Sequence, residues 1–191
     1  MKILGIDSST SIVAFAIIES DDMSIISVTH CDLSKKVGLI AKAEALSDFL
    51  DQFVGQVEAV AMEESLLMFQ GGSSSASVIA TLQQFSGIVQ WLIKITFGYQ
   101  PTMINVSTAR KLAFGSISYP KGIKRKEVIY QRVYKEYPHL DLPLKKTGKP
   151  KDFVYDQCDA IVIGLAHAKN RGNNVKPNLQ HKQTKGTGSS I

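Results

Sequence analysis

Two apolar runs open the chain, Lys2 to Ile6 and Ile12 to Ile18, separated by Asp7 and the small hydroxylated residues Ser8 to Ser11. The pattern predicts a buried strand, a tight turn and an antiparallel return strand. Ile25 to Cys31 reads as a third strand of the same meander. From Lys36 to Val54 the period changes. Leu39, Ile40, Ala43, Leu46, Phe49, Leu50, Phe53 and Val54 recur three and four apart, which is one face of a helix, with Gly55 as its stop. Val57 to Glu64 reads as a fourth strand ending in two acids. Then comes the loop LLMFQGGSSS, followed by a long helix from about Ser74 to Phe97 capped by Ser74 or Ser75. Its stripe of Val78, Ile79, Leu82, Phe85, Ile88, Val89, Leu92 and Ile93 is broad enough to be covered on two sides.

The remainder alternates in the same way. Pro101 to Val106 predicts a short strand, and Ser107 caps a short helix over Thr108 to Phe114. A helix from about Lys124 to Tyr137 is ended by Pro138. The segment 138–152 mixes Pro, Gly and Lys without periodicity and reads as an exposed basic loop. A last helix spans Phe153 to Lys169. The stretch 171–191 is rich in Gly, Asn, Lys, Gln, Thr and Ser and holds no acid, which predicts a flexible basic tail. Three antiparallel strands, a helix, then alternating strands and helices give an α/β domain over 1–170. Its mixed five-stranded sheet carries helices on both faces.

Composition narrows the function without naming it. A formal net charge of +5 and a hydrophobic fraction of 44% describe a basic globular domain with a polyanionic partner in reach. The two cysteines, Cys31 and Cys158, are far apart and match no metal-binding spacing, so a reducing, cytoplasmic setting is expected. The N-terminus lacks the basic start and processing site of a signal peptide. The later apolar segment Phe85 to Phe97 contains Gln90, Trp91 and Lys94 and reads as too short and too polar to cross a bilayer.

Four acids carry the candidate chemistry: Asp7, Glu63, Asp156 and Asp159. Asp7 and Glu63 end predicted strands; Asp156 and Asp159 lie three apart on a predicted helix and share a face. Carboxylates gathered at one point repel unless cations offset them, and hard oxygen ligands suit Mg²⁺ or Mn²⁺. Two such ions about 4 Å apart would activate water and stabilise the leaving oxygen in phosphodiester hydrolysis. Each acid also has an ordinary reading. Asp7 could bond the Ser9 or Thr10 amides of its own turn. Glu63 and Glu64 point to opposite faces of a strand, and either could be the inward one. Asp156 could complement the dipole of a helix start.

With those positions in order, the chain resembles the RuvC-type Holliday-junction resolvases, which have a ribonuclease-H-like fold. The resemblance rests on ILGIDSSTS at the start, EAVAMEES in the fourth strand and YDQCDAIVIGLAH near the end, and covers roughly residues 1 to 168. It implies that Asp7, Glu63, Asp156 and Asp159 are the catalytic, metal-holding acids and that Mg²⁺, or Mn²⁺ in its place, is the cofactor. Within STARKLAFG, Arg110 and Lys111 take the place of a DNA-contacting lysine. Within KRKEV, Lys124, Arg125 or Lys126 takes a second basic position, in an open register. The family's aromatic wedge is replaced here by Leu66, with Phe69 a few residues later, so that Leu66, Met68 or Phe69 is the residue expected to open the junction and Phe69 to contact DNA. Where the family often has Asp-Pro-Gly, this chain has Asp7, Ser8 and Ser9; this and the long basic loop suit a divergent, phage-encoded relative. The expected partner is branched DNA, and the two-fold symmetry of a four-way junction calls for a homodimer joined through the Ser74–Phe97 helix.

Three other readings stand beside this one. GIDSSTS also resembles the first phosphate loop of actin and sugar-kinase-type nucleotide-binding proteins, although no second glycine-rich loop follows in mid-chain. A catalytically silent DNA-binding module on the same fold is another. A ribonuclease-H-like nuclease for forks, flaps or RNA–DNA hybrids is the third, since fold does not fix substrate.

Overall fold

The structure, a computed structural model, describes residues 1–64 and 76–174. Three strands open it: β1 (Lys2–Ser8), β2 (Ile12–Glu19) and β3 (Ile25–Asp32). The helix α1 (Gly38–Leu50) follows, ending in one 3-10 turn at Asp51–Phe53, and Gly55 turns the chain with φ +73°. After β4 (Ala59–Glu63) come α2 (Ala76–Phe97), β5 (Thr102–Ile104), α3 (Val106–Phe114), α4 (Arg125–Glu136) and α5 (Asp152–Asn174). The sheet order is β3-β2-β1-β4-β5. Pairing is antiparallel between β1 and β2 and between β2 and β3, and parallel between β1 and β4 and between β4 and β5. This is the mixed five-stranded sheet that the pattern predicts.

Alternation along the strands sorts the core into two layers. Val13, Phe15 and Ile17 of β2, with Leu4 and Ile6 of β1, pack on Leu46 and Leu50 of α1 and on Phe85, Val89, Leu92 and Ile93 of α2. The intervening Ala14, Ala16 and Ile18 face the other layer, with Ala61 of β4 and the buried residues of α3, α4 and α5. That second face is built from small side chains. At Gly5 a Cβ would lie 2.3 Å from the Ala160 carbonyl oxygen and 2.6 Å from the Gly164 nitrogen. The backbones of β1 and α5 therefore touch with no side chain between them.

Several boundaries differ from the sequence reading. The cap of α3 is Asn105, whose side-chain oxygen accepts from the Ser107 N–H at 3.0 Å; Ser107 lies inside the helix. The loop 138–152 is less irregular than its composition suggests. Leu144 pairs with Pro150 in a short antiparallel bridge, and Lys145 bonds Asp152. The helix α5 runs on to Asn174, into the stretch read as tail; 175–191 lie outside the described residues. So do Leu66, Met68, Phe69, Ser74 and Ser75.

The helix α2 is longer than the apolar segment read from the sequence. By length and composition, with a mean hydropathy of 1.2, it could cross a membrane; Phe85, Val89, Leu92 and Ile93 instead pack on the sheet. Trp91 and Ile95, one turn apart and off that stripe, are 61% and 53% exposed.

The Gly5 contact is directly testable. Gly5→Ala places a methyl against helix backbone, which can yield only by moving α5; a loss on the order of 3 kcal/mol, or roughly 10 °C in melting temperature, is expected. Gly164→Ala meets Cγ1 of the fully buried, β-branched Ile18 at 2.6 Å, so it too should lose stability, through a side chain that must shift where Gly5→Ala must move backbone. Thermal denaturation of the two variants checks this, and equal melting temperatures for Gly5→Ala and wild type would refute it.

Candidate active site

The close approach of α5 to β1 also sets what faces what. Two residues along a strand advance about 6.7 Å, and four along a helix about 6 Å. Asp7 lies two residues beyond Gly5 on the same face, and Asp156 and Asp159 precede Ala160 on α5, so the contact that docks glycine on backbone leaves Asp7 within electrostatic reach of both helix acids. On β4, Val60 and Met62 belong to the layer under α1 and α2, while Ala61 belongs to the α5 layer. Glu63 shares the face of Ala61, and Glu64 is exposed. Alternation thus selects Glu63 over Glu64 as the inward acid.

Asp7 is not the turn's capping residue. The Ser9 hydroxyl accepts from the Ile12 N–H at 3.0 Å and donates to the Ile12 carbonyl at 2.9 Å, so Ser9 closes the turn. The carboxyl of Asp7 instead titrates well above its ordinary range. Burial is the main cause, followed by the negative charges of Glu63, Asp159 and Asp156. Glu63 is also raised, by burial and by Asp159, against a hydrogen bond from Asp7 and the charges of Arg110 and Lys126. Acids from β1, β4 and α5 thus lie within electrostatic reach of one another.

Two cations hold the α5 pair. Arg110, on α3, donates from Nη2 to Asp159 Oδ1 at 2.9 Å, and Asp159 is 5% exposed. Lys126, on the first turn of α4, donates from Nζ to Asp156 Oδ1 at 2.8 Å. Burial works against both positive charges, but the adjoining carboxylates hold their pKa values above the ordinary ones. The next residues along strap the same two helices together. The Tyr155 hydroxyl donates to Glu127 Oε2 at 2.8 Å, and burial with this bond pushes its pKa up to about 12.

As they stand, no three His, Cys, Asp or Glu side chains among the described residues are arranged to hold a metal ion. Asp156 and Asp159 each have one oxygen engaged by a cation. The donor set itself, four carboxylates of which Asp7 and Glu63 are raised first by burial and then by neighbouring negative charge, fits a hard divalent ion, which would offset that repulsion.

The basic residues divide into distinct roles. Of the three open positions in KRKEV, Lys126 contacts the acids. Arg125 lies with its guanidinium 5.7 Å from the Tyr119 ring centroid, and Lys124 is the exposed residue before α4. Lys111 is exposed beside Arg110. Between α3 and α4, Ser107, Arg110, Lys111, Ser116, Tyr119 and Arg125 line a cleft of about 490 Å³. Periodicity did not single out Tyr119, because it sits in a loop; its neighbourhood of Arg and Lys was the available signal. Tyr130, by contrast, packs against the core and stacks on Tyr134. Phe69 lies outside the described residues.

Asp7→Asn gives the electrostatic cost a sign. The folded chain holds the Asp7 proton more tightly than the unfolded chain, so the carboxylate costs stability at pH values above its ordinary 3.8. The metal-free variant should melt higher than wild type at pH 7, by on the order of 1–2 kcal/mol, and the gap should close as the pH falls toward 4. A variant that melts lower at pH 7 would contradict the burial of a repelled carboxylate.

Comparisons with known proteins place the fold. No family model and no curated protein sequence matches the chain. Among solved structures, Thermus thermophilus RuvC is similar, with a TM-score of 0.63 and 15% identity over 91% of this chain and 97% of that one. T. thermophilus RuvC in complex with a Holliday-junction substrate gives a TM-score of 0.64 and 14% identity, over 91% and 96%. The Fowlpox virus resolvase, in complex with its substrate Holliday-junction DNA, gives 0.51 and 20%, over 90% and 99%. The sheet order, the helices on both faces and these likenesses establish a ribonuclease-H-like fold of the RuvC type.

Proposed function

We propose that the chain is a metal-dependent endonuclease that cleaves branched DNA, resolving Holliday junctions by paired phosphodiester hydrolysis in a homodimer. The observation that carries this reading is that Asp7, Glu63, Asp156 and Asp159 lie within electrostatic reach of one another, with Arg110 paired to Asp159 and Lys126 to Asp156. Its support is that two proteins of similar fold are solved with junction DNA bound. The four acids would hold Mg²⁺, for which Mn²⁺ substitutes. When bound, the metal supplies Lewis-acid stabilisation of the phosphoryl oxygens and an activated water.

The protein's own groups do the rest. Carboxylates repel DNA, so a nuclease needs cations at the rim of the acid cluster. Arg110 and Lys126 meet that need and exchange a carboxylate for a backbone phosphate when DNA arrives, which frees Asp159 and Asp156 for the metal. Lys111, Lys124 and Arg125 extend the phosphate-binding surface, and each phosphate contact adds to the salt dependence of binding. The exposed Trp91 and Ile95 of α2 support that helix as the contact between two copies.

One panel tests the reading: labelled junction, fork, flap, duplex and hybrid substrates with Mg²⁺, Mn²⁺ or chelator, and sedimentation of the full chain with the junction. Paired cuts in the four-way junction with either metal, none with chelator, and a dimer on the junction are expected. Asp7→Asn should lower the cutting rate by on the order of 10³ or more and leave junction binding intact or tighter, since a negative charge is removed. Binding lost in parallel with cutting would make Asp7 structural, and a monomer on the junction would end the paired-cut account.

A further inference from the structure

The cleft between α3 and α4 adjoins the acid cluster but has a different chemistry. Its lining contains three cations, Arg110, Lys111 and Arg125, two hydroxyls, Ser107 and Ser116, and the ring of Tyr119; none of its lining residues is an acid. Such a lining repels metal ions and selects an anion. Its volume of about 490 Å³ falls within the range of small-ligand sites. The loop that forms one wall turns at Gly115 and Gly122, with φ of +73° and +87°. Both are left-handed conformations that a side chain would strain.

Two further features narrow the ligand. Tyr119 is 40% exposed although Arg125 lies over its ring, so with Ile117 it leaves an apolar surface open beside the cations and hydroxyls. A plain phosphate or an acidic side chain has no use for that ring; a nucleotide uses both parts. Arg110 belongs to the cleft and to the acid cluster at once. Nη2 is engaged by Asp159, while Nε is buried with no hydrogen-bond partner among the described residues, which leaves a donor over. An anion in the cleft is therefore one guanidinium away from the candidate catalytic acids.

We propose that this cleft is a nucleotide pocket. It takes one nucleotide of the bound strand next to the phosphate that is cut, with Arg110 and Arg125 on its backbone phosphate and the Tyr119 ring against its base. The proposal rests on the nuclease reading and adds a base-stacking position to it. A pocket that stacks one base on each strand would hold the strand in register beside the candidate acids whatever its sequence, since every base offers a ring face.

The test uses the full chain and immobile four-way junctions in which single nucleotides flanking the cut are replaced in turn by abasic residues that keep the phosphate. With wild type, removing one particular base per strand should weaken binding about tenfold, and removing its neighbours should have little effect. Tyr119→Ala should bind the intact junction about tenfold more weakly and lose that positional difference, while Tyr119→Phe, which keeps the ring, should match wild type. A wild-type profile flat across all abasic positions would overturn the pocket, as would a profile that survives in Tyr119→Ala. Junction cutting that persists in either case leaves the nuclease reading standing, so the two failures are distinguishable. A free nucleoside monophosphate at millimolar concentration should not compete with the junction; saturable binding of it without any abasic effect would make the cleft a small-molecule site and overturn the proposal.

Discussion

The backbone of β1 lies directly against the backbone of α5 at Gly5, and the arrangement of this molecule depends on that contact. A Cβ at Gly5 would sit 2.3 Å from a helix carbonyl, closer than any side chain tolerates. The small residues around it, Ala14, Ala16 and Ala61, keep the same face shallow so that α5 can settle across the centre of the sheet. Once that contact is made, Asp7 at the end of β1 comes within electrostatic reach of Asp159 and Asp156 on α5. The parallel pairing of β4 with β1 supplies Glu63 from the neighbouring strand. Packing of small residues, a matter of sterics, thus delivers an electrostatic arrangement that sterics alone would not select.

That arrangement is costly, and the surroundings show how it is tolerated. Asp7 is half-buried among like charges, and its carboxyl titrates well above the ordinary range. Arg110 and Lys126 come from two helices that follow the sheet in the chain, and each answers one acid of α5. The acids and the cations therefore form one system of charge-assisted contacts. In the proposed function, a cation that leaves a carboxylate for a phosphate gives up one charge-assisted bond and gains another, so the exchange would be close to balanced.

Much of the architecture was legible in the chain because period-two and helical patterns are enforced by burial on both faces of one sheet. The antiparallel half of the sheet could be expected from two short links between three consecutive strands. The four acids were legible as strand ends and a helix face, but singly each had an ordinary reading. What removed the ordinary readings lay elsewhere: Ser9 closing the turn, and Ala61 sharing a face with Glu63. The choice of Lys126 over Lys124 and Arg125 was not legible, because one residue on a helix start changes direction by about 100°. Tyr119 was invisible to periodicity, since a loop residue acquires its neighbours from the two helices the loop joins. The Asn105 cap was missed because Ser107 is an equally good capping type two residues later.

The central claim is that acids from the two ends of the polypeptide form one site for a divalent ion. The most direct measurement is Mn²⁺ binding to the full chain, read from the paramagnetic signal of the free ion, in wild type, Glu63→Gln and Asp156→Asn, with and without an uncut junction. The account predicts saturable binding that tightens when the junction is present and is weakened strongly by either substitution. Binding that Asp156→Asn leaves untouched, while Glu63→Gln abolishes it, would separate the helix from the strands and contradict the account.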